Sequence, residues 1–140
     1  MADLTVYITE KITLDGTDRG VITAQTIPGI NNIDNRILNC PTGSQTIIFN
    51  LGSTLGAGSF LTSSLQYARI TNLSDLPVKL LVDAPTVNSC FLINSGSSFF
   101  LSTSKITGSI DNSFTFENIQ SVLIEPSGSA SSIEYFIATL

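Results

Sequence analysis

The chain is cut every few residues by clusters of Gly, Pro, Asn or Ser, and between the cuts lie short runs of β-branched and aromatic residues. This punctuation limits the fold more than any other feature. A helix needs an apolar stripe recurring with a 3.6-residue period, and no segment here keeps one long enough to form a surface helix. Short alternating runs at a spacing of about 8–12 residues are instead the mark of two-sheet β proteins. The expectation is a single-domain antiparallel β-sandwich over residues 1–140, jelly-roll-like or Ig-like, with about eight to ten strands.

Residues 4–9 open the pattern, with Leu4, Val6 and Ile8 on one face. Ile12 and Leu14 continue it, directly or after a bulge. Asp15-Gly16-Thr17-Asp18 then reads as a turn, because Asp-Gly supplies the positive φ angles of a tight reversal. Residues 20–27 return as a strand that stops at Pro28-Gly29. Residues 30–40 are balanced between a helical turn and extended chain, with the Asn residues favouring the latter. In residues 45–51, Ile47, Phe49 and Leu51 alternate against Ile48 and Asn50. A Gly-rich loop is expected over residues 52–58.

Three hairpins follow on this reading. Residues 65–72 and 77–83 are joined by Leu73-Ser74-Asp75-Leu76, with Ala68, Ile70, Val78, Leu80 and Val82 facing the core. Residues 89–93 and 98–102 are joined by Asn94-Ser95-Gly96-Ser97, with Phe91, Ile93, Phe99 and Leu101 inward. Residues 120–124 and 133–139 close the chain around residues 126–132. Residues 105–110 and 114–116 are weaker strands. Leu80-Leu81-Val82, Phe99-Phe100-Leu101 and Tyr135-Phe136-Ile137 are apolar on both faces, and a second apolar face is a contact surface when it is left uncovered.

Several chemistries are set aside by what the chain lacks. It has no histidine, the usual proton carrier near neutral pH. Asp15 with Asp18, or Glu125 with Glu134, could substitute as carboxylate pairs, but both lie at expected turns, where carboxylates are solvated. No catalytic residue is assigned. Cys40 has no base to activate it, and two cysteines without histidine cannot complete a zinc site; both are read as buried free thiols. The Asp15–Asp18 stretch has too few oxygens for calcium. Gly56-Ala57-Gly58-Ser59 lacks the Lys of a phosphate loop. No metal or cofactor is expected, and Asn72-Leu73-Ser74 matches a glycosylation acceptor only by spacing.

Charge narrows the partners. Charged residues make up 12% of the chain and the net charge is -5, against a usual charged content of about 25%. Lys11, Arg19, Arg36, Arg69, Lys79 and Lys105 are scattered, so no cationic stripe offers itself to nucleic acid or to an anionic membrane. The first residues carry no cationic or apolar export signal, and no run reaches membrane-spanning length. Synthesis in a cytoplasm is expected. A surface so weakly charged repels its neighbours little, which favours a part of an assembly over a free monomer. A glycan-binding module is the second expectation, with Tyr7, Tyr67 and Tyr135 as the rings available for stacking.

Three stretches carry a resemblance. They are residues 4–16, the run Tyr67-Ala68-Arg69-Ile70-Thr71-Asn72-Leu73 with Pro77-Val78-Lys79-Leu80, and residues 91–101. Together they resemble small accessory virion proteins of tailed bacteriophages, over about residues 4–101. The third stretch departs from the group's Ala-Gly by having Ser95-Gly96. The resemblance implies a structural role in the virion: a capsid decoration or cement protein, or a tail or head–tail accessory subunit. It implies a homo-oligomer, with a trimer preferred, and contacts to the major capsid protein or other virion proteins. The expected interface residues are Leu4, Val6, Tyr7, Phe99, Phe100 and Tyr135, and the N-terminal strand could add to a neighbour's sheet edge.

Overall fold

The structure, a computed structural model, describes residues 1–53, 58–61 and 64–140. Most of the expected loop at residues 52–58, including Gly56 and Ala57, lies outside the described residues. The rest is built of strands: β1 (Ala2–Thr9), β2 (Thr13–Leu14), β3 (Thr17–Asp18), β4 (Ile22–Ile30), β5 (Asn32–Cys40), β6 (Thr46–Gly52), β7 (Ser59–Leu61), β8 (Leu65–Asn72), β9 (Val78–Asp83), β10 (Asn88–Ile93), β11 (Ser98–Leu101), β12 (Lys105–Ile106), β13 (Glu117–Asn118), β14 (Ser121–Pro126) and β15 (Ser131–Thr139). No helix among the described residues is long and apolar enough to cross a membrane.

Two sheets face each other, in the orders β10-β9-β14-β6-β7 and β11-β8-β15-β5. The pairing is nested: β9 with β10, β8 with β11, β6 with β14, and β5 with β15. That is the pattern of one long hairpin. Rolling it over on itself brings β14 beside β9 and β15 beside β8. The sandwich is therefore a jelly roll, with β7 added parallel to β6 at one edge.

The nesting corrects the three expected hairpins. β8 and β9 lie in opposite sheets, as do β10 and β11, and β14 and β15. Each of those loops is an arch from one layer to the other. The hairpin the sequence reading missed joins β9 to β10, where the Ala84 N–H donates to the Val87 carbonyl at 3.0 Å. Turn residues mark where the chain reverses. They do not say whether it pairs with itself or crosses to the other sheet.

Alternation then fills the core. Ala68, Ile70, Val78, Leu80 and Val82 are buried as expected, and Ile93, Leu101, Val122, Ile124, Ile133, Tyr135 and Ile137 join them. Phe49 lies at the centre, its ring 5.9 Å from Tyr135 and 6.4 Å from Phe60. Such tilted and edge-on pairs suit the charge distribution of aromatic rings. In β6 the expected face is wrong by one residue at its start. Ile48 is buried and Ile47 is 50% exposed. The pairing skips Ile48 between Val122↔Phe49 and Leu123↔Ile47, and such a bulge lets two successive side chains turn inward.

Three further expectations change. Residues 32–40 are fully extended as β5, held along their length by β15. Residues 114–116 form no strand, because Phe114 is 92% exposed and has no sheet to pack on. Both cysteines are free, but only Cys40 is buried; Cys90 sits exposed on β10.

Outside the sandwich, β1 and β4 pair as a long hairpin whose distal end is β2 and β3. Its turn is the expected Asp-Gly, with φ of 51° at Asp15 and 75° at Gly16. Two successive positive φ values match the right-handed twist of the strands they join.

Candidate functional site

The alternation that sends Ala68, Ile70, Tyr135 and Ile137 into the core sends their neighbours to the outer face of the four-stranded sheet. The register aligns Tyr67 with Ala138, and Arg69 with both Phe136 and Phe100. Tyr67, Arg69, Phe100, Phe136 and Ala138 thus share one face. The base of the hairpin lies on it, with Leu4, Val6, Ile27 and Ile30 packed against Tyr67, Phe136 and Ala138 as a second small core.

The cover is partial. Between β1 and the sheet a groove of about 510 Å³ remains open, lined by residues 4–9 of β1 and by Tyr67, Arg69, Ser98, Phe100 and Phe136. Its floor is aromatic, with the Tyr67 ring 6.4 Å from Phe100 and 6.2 Å from Phe136. Burial raises the Tyr67 phenol above its ordinary pKa, against the opposing charge of Arg69. Arg69 Nη2 donates to Glu134 Oε1 at 2.9 Å, while its buried Nε has no partner among the described residues. Among the described residues β1 pairs with β4 along one edge only, so its other edge offers a row of unbonded N–H and C=O groups beside the groove.

The expected interface residues divide here. Leu4, Val6, Tyr7 and Phe100 line the groove; Tyr7 is 70% exposed and Phe100 50%. Phe99 points the other way, packs on the main core, and stacks on Phe91 at 4.8 Å. Tyr135 is 1% exposed. Its place at an interface is corrected: the apolar run 135–137 alternates, and only Phe136 faces outward. The sequence reading missed Tyr67, Arg69 and Phe136 as groove residues. The signal was available for Tyr67 and Arg69, which have the opposite parity to Ala68 and Ile70; no inward face was assigned around Phe136.

A second hollow, of about 300 Å³, lies beside the β9–β10 loop. Alternate residues Thr107, Ser109, Asp111, Ser113, Thr115 and Glu117 line it together with Thr86. Glu117 accepts hydrogen bonds from the Thr86 amide and hydroxyl, which hold its carboxyl below the usual range. Ile110 and Phe114, of the opposite parity, are almost fully exposed.

Glu125 and Glu134 are not brought together, and Asp15 and Asp18 are exposed at the hairpin turn. Glu125 is on β14 and bonds Lys79 at 2.5 Å, whereas Glu134 is in the other sheet, on Arg69. Asp18 accepts the Gly20 N–H at the end of the hairpin. Among the described residues no three His, Cys, Asp or Glu side chains converge as metal ligands. The rings expected to stack a sugar are also displaced: Tyr135 is in the core, and Tyr67 is 9% exposed beneath the hairpin. Comparison with family models, with curated proteins and with solved structures finds no match to this chain.

Proposed function

We propose that the chain is a non-enzymatic structural subunit of a phage particle, a capsid decoration or cement protein that self-associates and binds the assembled shell. The observation that carries the assembly part of this reading is the open groove beside an unpaired strand edge. An unprotected edge and an apolar floor are a template for another chain's strand. β1 has little of the usual protection: its one charged residue is Asp3, it contains no Pro, and its pairing is irregular between Ala2 and Leu4 alone. Weak surface charge acts in the same direction. The virion placement rests on the resemblance of residues 4–16, 67–80 and 91–101. With it come a made-in-the-host-cytoplasm origin, a virion location and a preferred trimer.

The test is co-sedimentation with assembled particles lacking the protein. Saturable binding at a fixed number of copies per shell is the expected result. No binding to shells, tails or head–tail connectors would end the virion reading. Of the three rings the glycan reading relies on, Tyr135 lies in the core and Tyr67 is 9% exposed, which leaves Tyr7 as the exposed one.

A further inference from the structure

The hairpin has a part that its own sandwich does not use. Residues 10–21 are all exposed except Gly20, and Ile12, Leu14 and Val21 are each more than half exposed. The segment is nevertheless well formed, with Glu10 N–H donating to the Val21 carbonyl and Arg19 N–H to the Ile12 carbonyl. It extends about 20 Å beyond β1, at about 3.4 Å per residue. An ordered hairpin end that leaves Ile12, Leu14 and Val21 uncovered, on the same chain as an open groove with an aromatic floor, calls for a common explanation.

The two do not meet within one chain. The same offset holds from Leu4↔Ile27 to Thr9↔Ile22 and again at Thr13↔Asp18 and Leu14↔Thr17, with the Glu10–Val21 and Arg19–Ile12 bonds between them, so the tip is the far end of the same hairpin and does not line the groove. A strand that pairs with β1's free edge fits best without a sandwich packed beneath it, and the tip, exposed along its length except at Gly20, is such a strand.

We infer that the tip of one copy, residues 10–21, inserts into the groove of the next, pairing with the free edge of β1 and packing Ile12 and Leu14 over Phe100 and Tyr67. This deepens the proposed assembly role and rests on it. Arg69 is the one charged residue among those lining the groove, and the tip carries three acidic residues, Glu10, Asp15 and Asp18, against two basic ones, Lys11 and Arg19. Donor and acceptor surfaces differ, so the contact is head-to-tail, the kind that builds a ring where the rotation between copies closes and a filament where it does not. One contact uses twelve tip residues and the eleven that line the groove. That is about half of a standard interface, which has roughly 20–30 residues a side, and each chain in a ring makes two such contacts.

The experiment uses the full chain with two variants, Ile12→Asp with Leu14→Asp in the tip, and Phe100→Asp in the groove. Circular dichroism checks that each folds, and light scattering reads mass. Each variant alone is expected to be monomeric, its association weakened about tenfold or more. Mixed together they should form one-to-one dimers, because an intact tip meets an intact groove only once per pair. A tip variant that assembles like the wild type overturns this contact and leaves the assembly reading standing. Variants that stay monomeric when mixed overturn the head-to-tail geometry. A monomeric wild type overturns both the contact and self-association.

Discussion

Tyr135 donates its phenolic hydroxyl to Oδ2 of Asp34 across 2.6 Å, and Arg36 holds the same carboxylate from the neighbouring position on β5. The bond ties the ring at the centre of the core to the edge strand. Burial, then the Asp34 hydrogen bond and charge, push the Tyr135 phenol well above its ordinary value. A folded-state pKa above the unfolded one means that stability is complete below about pH 10 and falls as pH rises further. Tyr135→Phe should cost about 2 kcal/mol at neutral pH, the loss of a hydrogen bond to a charged group. It should also reduce the alkaline fall. Urea midpoints at neutral and alkaline pH check both, and an unchanged alkaline slope would remove Tyr135 as its source.

Asn72 is fully buried and joins two arches. Its Nδ2 donates to the carbonyls of Leu76 at 2.8 Å and Ile93 at 3.2 Å, and its Oδ1 accepts the Ser74 N–H. Its backbone bonds Ser97 and Gly96. Asn72→Ala strands these groups and should cost about 3 kcal/mol. Asn72→Asp should do at least as much harm, because a carboxylate cannot donate to two carbonyls. A urea midpoint lowered with unchanged slope is the expected reading.

The β6 bulge gives a contrast between adjacent isoleucines. Ile48→Ala empties a core site and should cost about 2–4 kcal/mol, while Ile47→Ala, at the surface, should stay within about 0.5–1 kcal/mol. Equal costs would mean that the strand lacks the bulge.

At Gly20 the backbones of the hairpin come close. A Cβ there would collide with the Glu10 carbonyl oxygen. Gly20→Ala should therefore open the tip locally, speeding amide exchange at Glu10 and Arg19, while the sandwich's melting temperature stays put. A fall in the melting temperature would tie the tip to the main core.

Much of the fold is legible along the chain, because alternation is local. The inward faces of β8 and β9, the Asp15-Gly16 turn and the returning strand all follow from neighbouring residues. Pairing is not local. Leu73-Ser74-Asp75-Leu76 and Asn94-Ser95-Gly96-Ser97 look like hairpin loops, yet both carry the chain between sheets. Residues 84–87, without Asn-Gly or Gly-Gly, make the real hairpin. The groove was half legible for the same reason. Leu4, Val6, Tyr7 and Phe100 are interface residues that the resemblance implies, and Phe100 also lies in a run apolar on both faces. Tyr67, Arg69 and Phe136 join them only once β8, β11 and β15 are known to share a sheet. Tyr135 was misplaced because a run apolar on both faces does not say which face is covered.

The central claim is that this chain is an assembly part, and its mass in solution tests that most directly. Size-exclusion light scattering across micromolar concentrations should give one stable species, at three times the 14.9 kDa chain mass for the preferred trimer. A mass of one chain at every concentration would contradict the account.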